Sequence, residues 1–76
     1  MVIRMERQLI NSSNIVSAGY DPASQILEVE FKNGIVWQYT HFPENMWYEF
    51  LGAPSHGKYF LQQIRPRFQN LGYRVQ

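Results

Sequence analysis

The segment Leu27-Glu28-Val29-Glu30-Phe31, followed at once by Lys32-Asn33-Gly34, constrains this chain more than any other. Apolar and acidic side chains alternate at period two, and an extended strand sorts that pattern into one apolar and one charged face. Asn33-Gly34 supplies residues that accept positive φ, the requirement of a tight hairpin. Ile35 to Thr40 then returns antiparallel. Period two places Ile35, Trp37 and Tyr39 on one face, and Val36, Gln38 and Thr40 on the other. Glu28, Glu30, Gln38 and Thr40 are expected in water.

An antiparallel sheet with one apolar face needs a cover, and the flanking sequence supplies it. Ile15 to Tyr20 reads as an earlier strand, stopped by the turn signal Asp21-Pro22-Ala23-Ser24. Pro43 suits the first turn of a helix in which Met46, Trp47, Phe50 and Leu51 form an apolar stripe, with Gly52 as its left-handed end. Ser55 is an N-cap for a second helix that buries Phe60, Leu61, Ile64 and Phe68. Pro66 disfavours helical geometry at Arg65 and predicts an end or kink there. The expected fold is α+β: a three-stranded antiparallel meander in the order β-β-β-α-α, with both helices on one face. Residues 1–76 form a single domain, in which 1–9 and 69–76 are accessory or frayed; Tyr73-Arg74-Val75 reads as either a short strand or a tail.

A domain of 76 residues buries only about 60% of the surface its unfolded chain exposes, so its core needs bulky side chains or staples. Cysteine is absent, which removes disulfides and thiolate metal sites, and twelve Phe, Trp and Tyr residues provide the bulk instead. The N-terminus lacks an apolar leader core, and no run of apolar residues reaches membrane-spanning length. A cytoplasmic protein without a membrane partner is the expectation.

Formal net charge is only +1, yet its distribution is lopsided. All six acids lie before residue 50, whereas Lys58, Arg65, Arg67 and Arg74 come after it unopposed. The C-terminal third therefore offers a basic surface, which serves either as an ordinary solvated helix face or as a polyanion contact.

Six short motifs then occur in a fixed order. They are Ser12-Ser13-Asn14-Ile15, Gly19-Tyr20-Asp21, Leu27-x-Val29-x-Phe31-x-x-Gly34, Trp37-x-Tyr39, Phe42-Pro43, and Ser55-x-Gly57-x-Tyr59-Phe60-x-x-x-Ile64-Arg65. In this order they resemble the KTSC domain, which is named for its place at the C-terminus of some lysyl-tRNA synthetases and also stands alone in bacteria. Trp37 occupies the first position of the family's Tyr-x-Tyr, and Phe42 stands where a smaller aliphatic residue is commoner. The resemblance implies the fold above, and its synthetase context implies RNA as a partner.

The chemistry of individual side chains marks the candidate site residues. Trp37 and Tyr39 are either base-stacking platforms or core packing. Ser55, Gly57 and Lys58 mark a helix start with free N–H groups, a close backbone approach and a point charge, suited to a phosphate. Lys58, Gln62, Arg65 and Gln69, at i, i+4, i+7 and i+11, predict a polar ridge along the helix, and Arg67 adds charge beside it. His41 and His56 have neither the spacing nor the companions of a metal site. Ser55 beside His56 is no nucleophile–base pair, because adjacent side chains at a helix start point apart. The reading is a non-enzymatic module without metal or cofactor that binds RNA, tRNA-like molecules included. The alternative is a protein-interaction or self-association module, for which a homo-oligomer is the simplest form.

Overall fold

In the computed structural model, which describes residues 5–76, the alternating segment is the centre of a larger sheet than its hairpin announces. Strands β1 (Gln8–Leu9), β2 (Ile15–Asp21), β3 (Ile26–Phe31), β4 (Val36–Tyr39) and β5 (Gly72–Arg74) form one five-stranded antiparallel sheet in sequential order. The three-stranded meander is thus corrected to five strands. β1 pairs Gln8 with Ala18 and Leu9 with Ser17, while β5 pairs Gly72 with Tyr39 and Arg74 with Trp37. Strands of two and three residues are too short for period two to register in sequence. Part of the region read as accessory, residues 1–4, lies outside the described residues.

The β3–β4 register places Leu27 opposite Tyr39 and Val29 opposite Trp37, so these four share one face. On β2 the pairing shifts between Ile15 and Ser17, making Val16 a bulge. That extra residue lets Ile15, Ala18 and Tyr20 all point to the apolar face despite their uneven spacing. The hairpin is looser than expected. Within the turn Gly34 alone takes a positive φ, and its N–H bonds to the Phe31 carbonyl while the Phe31 N–H bonds to the Ile35 carbonyl.

Helix α1 (Glu44–Gly52) and a C-terminal helical run cover this face. Pro43 stands at the N-cap of α1 rather than inside it, and Gly52 closes the helix without a positive φ. Ser55 caps α2 (His56–Tyr59) through an Oγ that accepts from the Lys58 N–H at 3.3 Å. The helix does not end at Pro66. A π-helical turn over Phe60–Ile64 leads into α3 (Arg65–Phe68), a 3-10 turn over Gln69–Leu71, and then β5. In the π turn the Arg65 N–H bonds back to the Phe60 carbonyl. A bond to the fifth residue back widens the helix in the turn just before Pro66, where a proline ring clashes with a regular α-helix.

The core forms where these helices meet the sheet. Ile15, Leu27, Val29, Phe42, Phe50 and Ile64 are fully buried, and Phe60 packs edge-on against Phe31 and Tyr39 with ring centroids 5.3 and 5.9 Å away. Leu61 departs from its expected place: it is 47% exposed, because the π turn rotates it out of the apolar stripe.

Among the described residues the opposite face carries no helix, yet it is not open to water as the alternation suggested. Glu28 and Gln38 are each only 4% exposed. Arg7 Nη1 lies 2.6 Å from one Glu28 carboxylate oxygen, Gln38 Nε2 donates to the other at 2.8 Å, and the Tyr73 hydroxyl donates to Gln38 Oε1 at 2.7 Å. Ser17 donates to Glu30 at 2.8 Å beside them. Polar side chains thus span the sheet and satisfy one another where isolated strands would have left them in solvent. Gly19 makes room for the span: a Cβ there would meet the Glu6 carbonyl oxygen at 2.3 Å and the Arg7 side chain at 3.3 Å.

Arg7→Ala removes the cation from a nearly buried carboxylate, and urea unfolding is expected to show a loss of about 1–3 kcal/mol. Adding Glu28→Gln to that variant is expected to recover part of the loss, since a neutral amide is cheaper to leave beside Gln38. An unchanged midpoint for Arg7→Ala would contradict the arrangement.

Candidate functional site

Between the edge of the apolar sheet face and the C-terminal helical run, packing leaves a cleft of about 420 Å³. Its lining includes Phe31, Trp37 and Tyr39 from the sheet, Phe60, Leu61, Arg65 and Gln69 from the helical run, and Asn14 from the loop before β2. The cleft exists because β4 carries large rings at alternate positions of one face while the π turn alters which helical residues meet them.

Trp37 and Tyr39 are placed differently. Tyr39 is 6% exposed, stacked beside Trp37 at 6.2 Å with 21° between the ring planes, and edge-on to Phe60. Gly72 on β5 lies against the same ring: a Cβ there would meet Tyr39 ring carbons at 2.5 and 2.7 Å. Tyr39 is core packing with an edge on the cleft, whereas Trp37 is half-buried and lines the cleft without joining the sealed core. Burial pushes the Tyr39 hydroxyl above its ordinary pKa, and the positive charge of Arg65 opposes that shift. The phenol is therefore neutral at physiological pH.

Ser55, Gly57 and Lys58 lie together along a second, shallower depression of about 540 Å³, walled on its other side by residues 11–14. Ser12 Oγ donates to Asn14 Oδ1 at 2.9 Å. A Cβ on Gly57 would meet those same two side-chain atoms at 3.1 and 3.0 Å. The glycine thus lets the Asn11–Asn14 loop close on the helix start, and the space beside its Cα is filled by the chain's own polar groups. Asn14 and Leu61 line both depressions, which makes them neighbours along one surface.

The expected ridge Lys58-Gln62-Arg65-Gln69 is split. Lys58 and Gln62 line a surface with Glu49 and Tyr59, whereas Arg65 and Gln69 line the aromatic cleft. The π turn runs through Gln62 and ends just before Arg65, and one inserted residue rotates the rest of the helix by about 100°. Arg67 is exposed and counters the rise that burial and the 2.8 Å hydrogen bond to Glu49 impose on the Tyr59 hydroxyl, whose pKa is pushed up to about 12. It belongs to the flank of Tyr59, away from the cleft.

Asn14 and Leu61 are site residues that the sequence did not single out as such, whereas Gln69, expected on the polar ridge, lines the cleft instead. Asn14 carried a signal, since Ser12-Ser13-Asn14 is one of the ordered motifs. The placement of Leu61 and Gln69 depends on the π turn. His56 Nδ1 lies 2.9 Å from the Phe50 carbonyl oxygen and His41 Nδ1 lies 3.2 Å from Thr40 Oγ1, each occupied locally. Among the described residues no group of three or more His, Cys, Asp or Glu side chains is placed to hold a metal ion, and no helix is long and apolar enough to cross a membrane.

Comparison with known proteins bears on this surface. The KTSC domain family matches residues 11–68, a span that includes both depressions. A KTSC domain protein from Yersinia pestis, known from its crystal structure, superposes with a TM-score of 0.88 at 36% identity, covering 96% of this chain and 100% of its own. An uncharacterized protein from Stutzerimonas stutzeri (strain A1501) is 41% identical over 63 residues, which span 83% of this chain and 89% of the relative. A lysine–tRNA ligase from Nostoc sp. (strain PCC 7120) is 36% identical over 50 residues, 66% of this chain but 9% of the ligase.

Gly72→Ala tests how tightly this wall is built. The added methyl must displace the Tyr39 ring, so thermal or urea unfolding is expected to show about 1–3 kcal/mol of destabilisation. Gly52→Ala, where a Cβ meets nothing within 4 Å, is expected to be neutral or slightly stabilising by helix propensity.

Proposed function

This chain belongs to the KTSC-domain family, and on that premise we propose that it is a small non-catalytic module that binds single-stranded RNA along the surface joining the two depressions. The observation that carries the proposal is the pairing, on one cleft, of a half-buried indole at Trp37 with the guanidinium-bearing Arg65. Single-stranded nucleic acid is held by such a combination of aromatic faces for bases and cations for the backbone. Lys58, with Ser55 and Gly57 behind it, extends the cationic path past Asn14 and Leu61, and Arg67 adds charge on the far flank of the helix. The match to part of a lysine–tRNA ligase supports RNA as the class of partner, tRNA-like molecules included.

A second reading rests on a different observation. Leu9, on the two-residue edge strand β1, is 85% exposed, and an apolar side chain on an open strand edge is a ready contact for another chain. Self-association through that edge, giving a homo-oligomer, is the alternative it supports.

Salt dependence separates the two. For RNA whose phosphates are held by Lys58 and Arg65, log affinity is expected to fall linearly with log salt at a slope of about −1.4, roughly −0.7 per phosphate contact. Arg65→Gln and Lys58→Gln are each expected to flatten the slope by about 0.7. No binding of pooled tRNA or single-stranded oligomers at low salt by the folded protein, together with a protein-concentration-dependent mass that Leu9→Lys abolishes, would end the RNA reading in favour of self-association.

A further inference from the structure

The cleft differs from an open stacking sheet, on which bases lie flat against exposed rings. Its volume of about 420 Å³ falls within the range of about 300–1,000 Å³ typical of small-molecule sites, enough for one planar ring system with its sugar and far too little for a duplex. The aromatic residues on its lining are Phe31, Trp37, Tyr39 and Phe60, but Phe60 and Tyr39 are core rings committed to each other. Phe31 is likewise packed edge-on to Phe60, and Tyr39 stacks along one side of the half-buried Trp37, so the other face of the Trp37 indole is the ring surface the cleft has to offer. The polar side-chain groups of the lining residues are two amides, Asn14 and Gln69, one cation, Arg65, and the Tyr39 hydroxyl. Asn14 Oδ1 is engaged by Ser12 Oγ, which leaves its NH2 group as the end free to donate.

A ligand matching this set has a flat π face, an edge with both donors and acceptors, and an attached anion. A nucleobase with its phosphate has all three, whereas an aliphatic chain leaves the amides and the cation unpaired, a cost that disfavours it. We propose that the cleft receives one unstacked nucleobase of a single strand, stacked on Trp37 with its edge toward Asn14 and Gln69, while Arg65 takes the adjoining phosphate. This rests on the RNA reading above and adds to it a discrete base pocket, where phosphate contacts alone would suffice for binding.

The test compares a short oligouridylate with its abasic counterpart, the same ribose–phosphate chain without bases. The readout is Trp37 fluorescence in a Trp47→Phe protein; in the wild type, the indole N–H resonance of Trp37 gives the same information. The expected result is quenching of Trp37 by the intact strand only. The abasic strand is expected to bind about 5- to 150-fold more weakly, the factor that ~1–3 kcal/mol of stacking represents. Gln69→Phe, which fills the cleft from an exposed position, is expected to erase that difference while leaving the salt slope intact. Equal affinity for both strands with Trp37 unmoved would overturn the base pocket and leave the RNA reading standing. No binding of either strand would overturn both. Uridine monophosphate binding as tightly as the oligomer would overturn the strand as the source of the base and make the cleft a free-nucleotide site.

Discussion

The edge-on contact of Phe60 with Tyr39 and Phe31 is the interaction on which the arrangement of this domain turns. It joins the two central strands to the C-terminal helical run at the residue where that run changes from α to π geometry. Such contacts contribute about 0.5–1.5 kcal/mol beyond the area they bury. Their larger effect is geometric. With Phe60 fixed against the sheet, the π turn decides which of the later residues face outward, and it sends Leu61 to the surface and Arg65 to the cleft. It also carries the helix through Pro66, so that Gly72 arrives beside Tyr39 and closes the sheet with a fifth strand.

A single sheet with helices on one side leaves its other side to be managed, and here the answer is polar. Glu28 sits nearly sealed between Arg7 and Gln38, and Tyr73 extends the chain of hydrogen bonds to the last strand. Each member lies on a different part of the chain, so the span couples the N-terminal edge to the C-terminal one without a cysteine or a metal. No buried side-chain nitrogen or oxygen among the described residues lacks a hydrogen-bond partner. Full satisfaction matters, because a partly paired network in a low dielectric costs more than an apolar one. Among the described residues this face pairs Arg7 with Glu28 and Glu30 and so has little free charge to offer a polyanion, which favours the cleft side for the proposed contact.

The physics of one residue at a time reaches the centre of the fold and stops at its margins. The alternation of Leu27, Val29 and Phe31 sets the register of β3, and Leu27 and Val29 are indeed fully buried. The same alternation misplaces Glu28, since period two separates two faces but says nothing of what Arg7 and Tyr73 bring from elsewhere in the chain. Ser55 is legible as a cap because capping is local. β1 and β5 are not, because their pairing depends on partners already in place. Pro66 signals a helix end by its usual effect, which the π turn circumvents. At the site, the chemistry of Trp37, Tyr39, Lys58 and Arg65 is visible in sequence, whereas their division between a cleft, a core and two flanks comes from a helical rotation that no residue type announces.

On the binding mode proposed above, ligand contact is confined to the cleft and the adjoining Ser55–Lys58 surface. The most direct measurement is a map of backbone and side-chain amide chemical shifts during titration with single-stranded RNA. The largest changes are expected at the side-chain amides of Asn14 and Gln69 and at the Trp37 indole, with smaller ones at Gly57 and Lys58. The amides of Arg7, Glu28, Gln38 and Tyr73 on the helix-free face are predicted to stay still. Shifts concentrated on that face, or along Gln8 and Leu9 at the sheet edge, would contradict it.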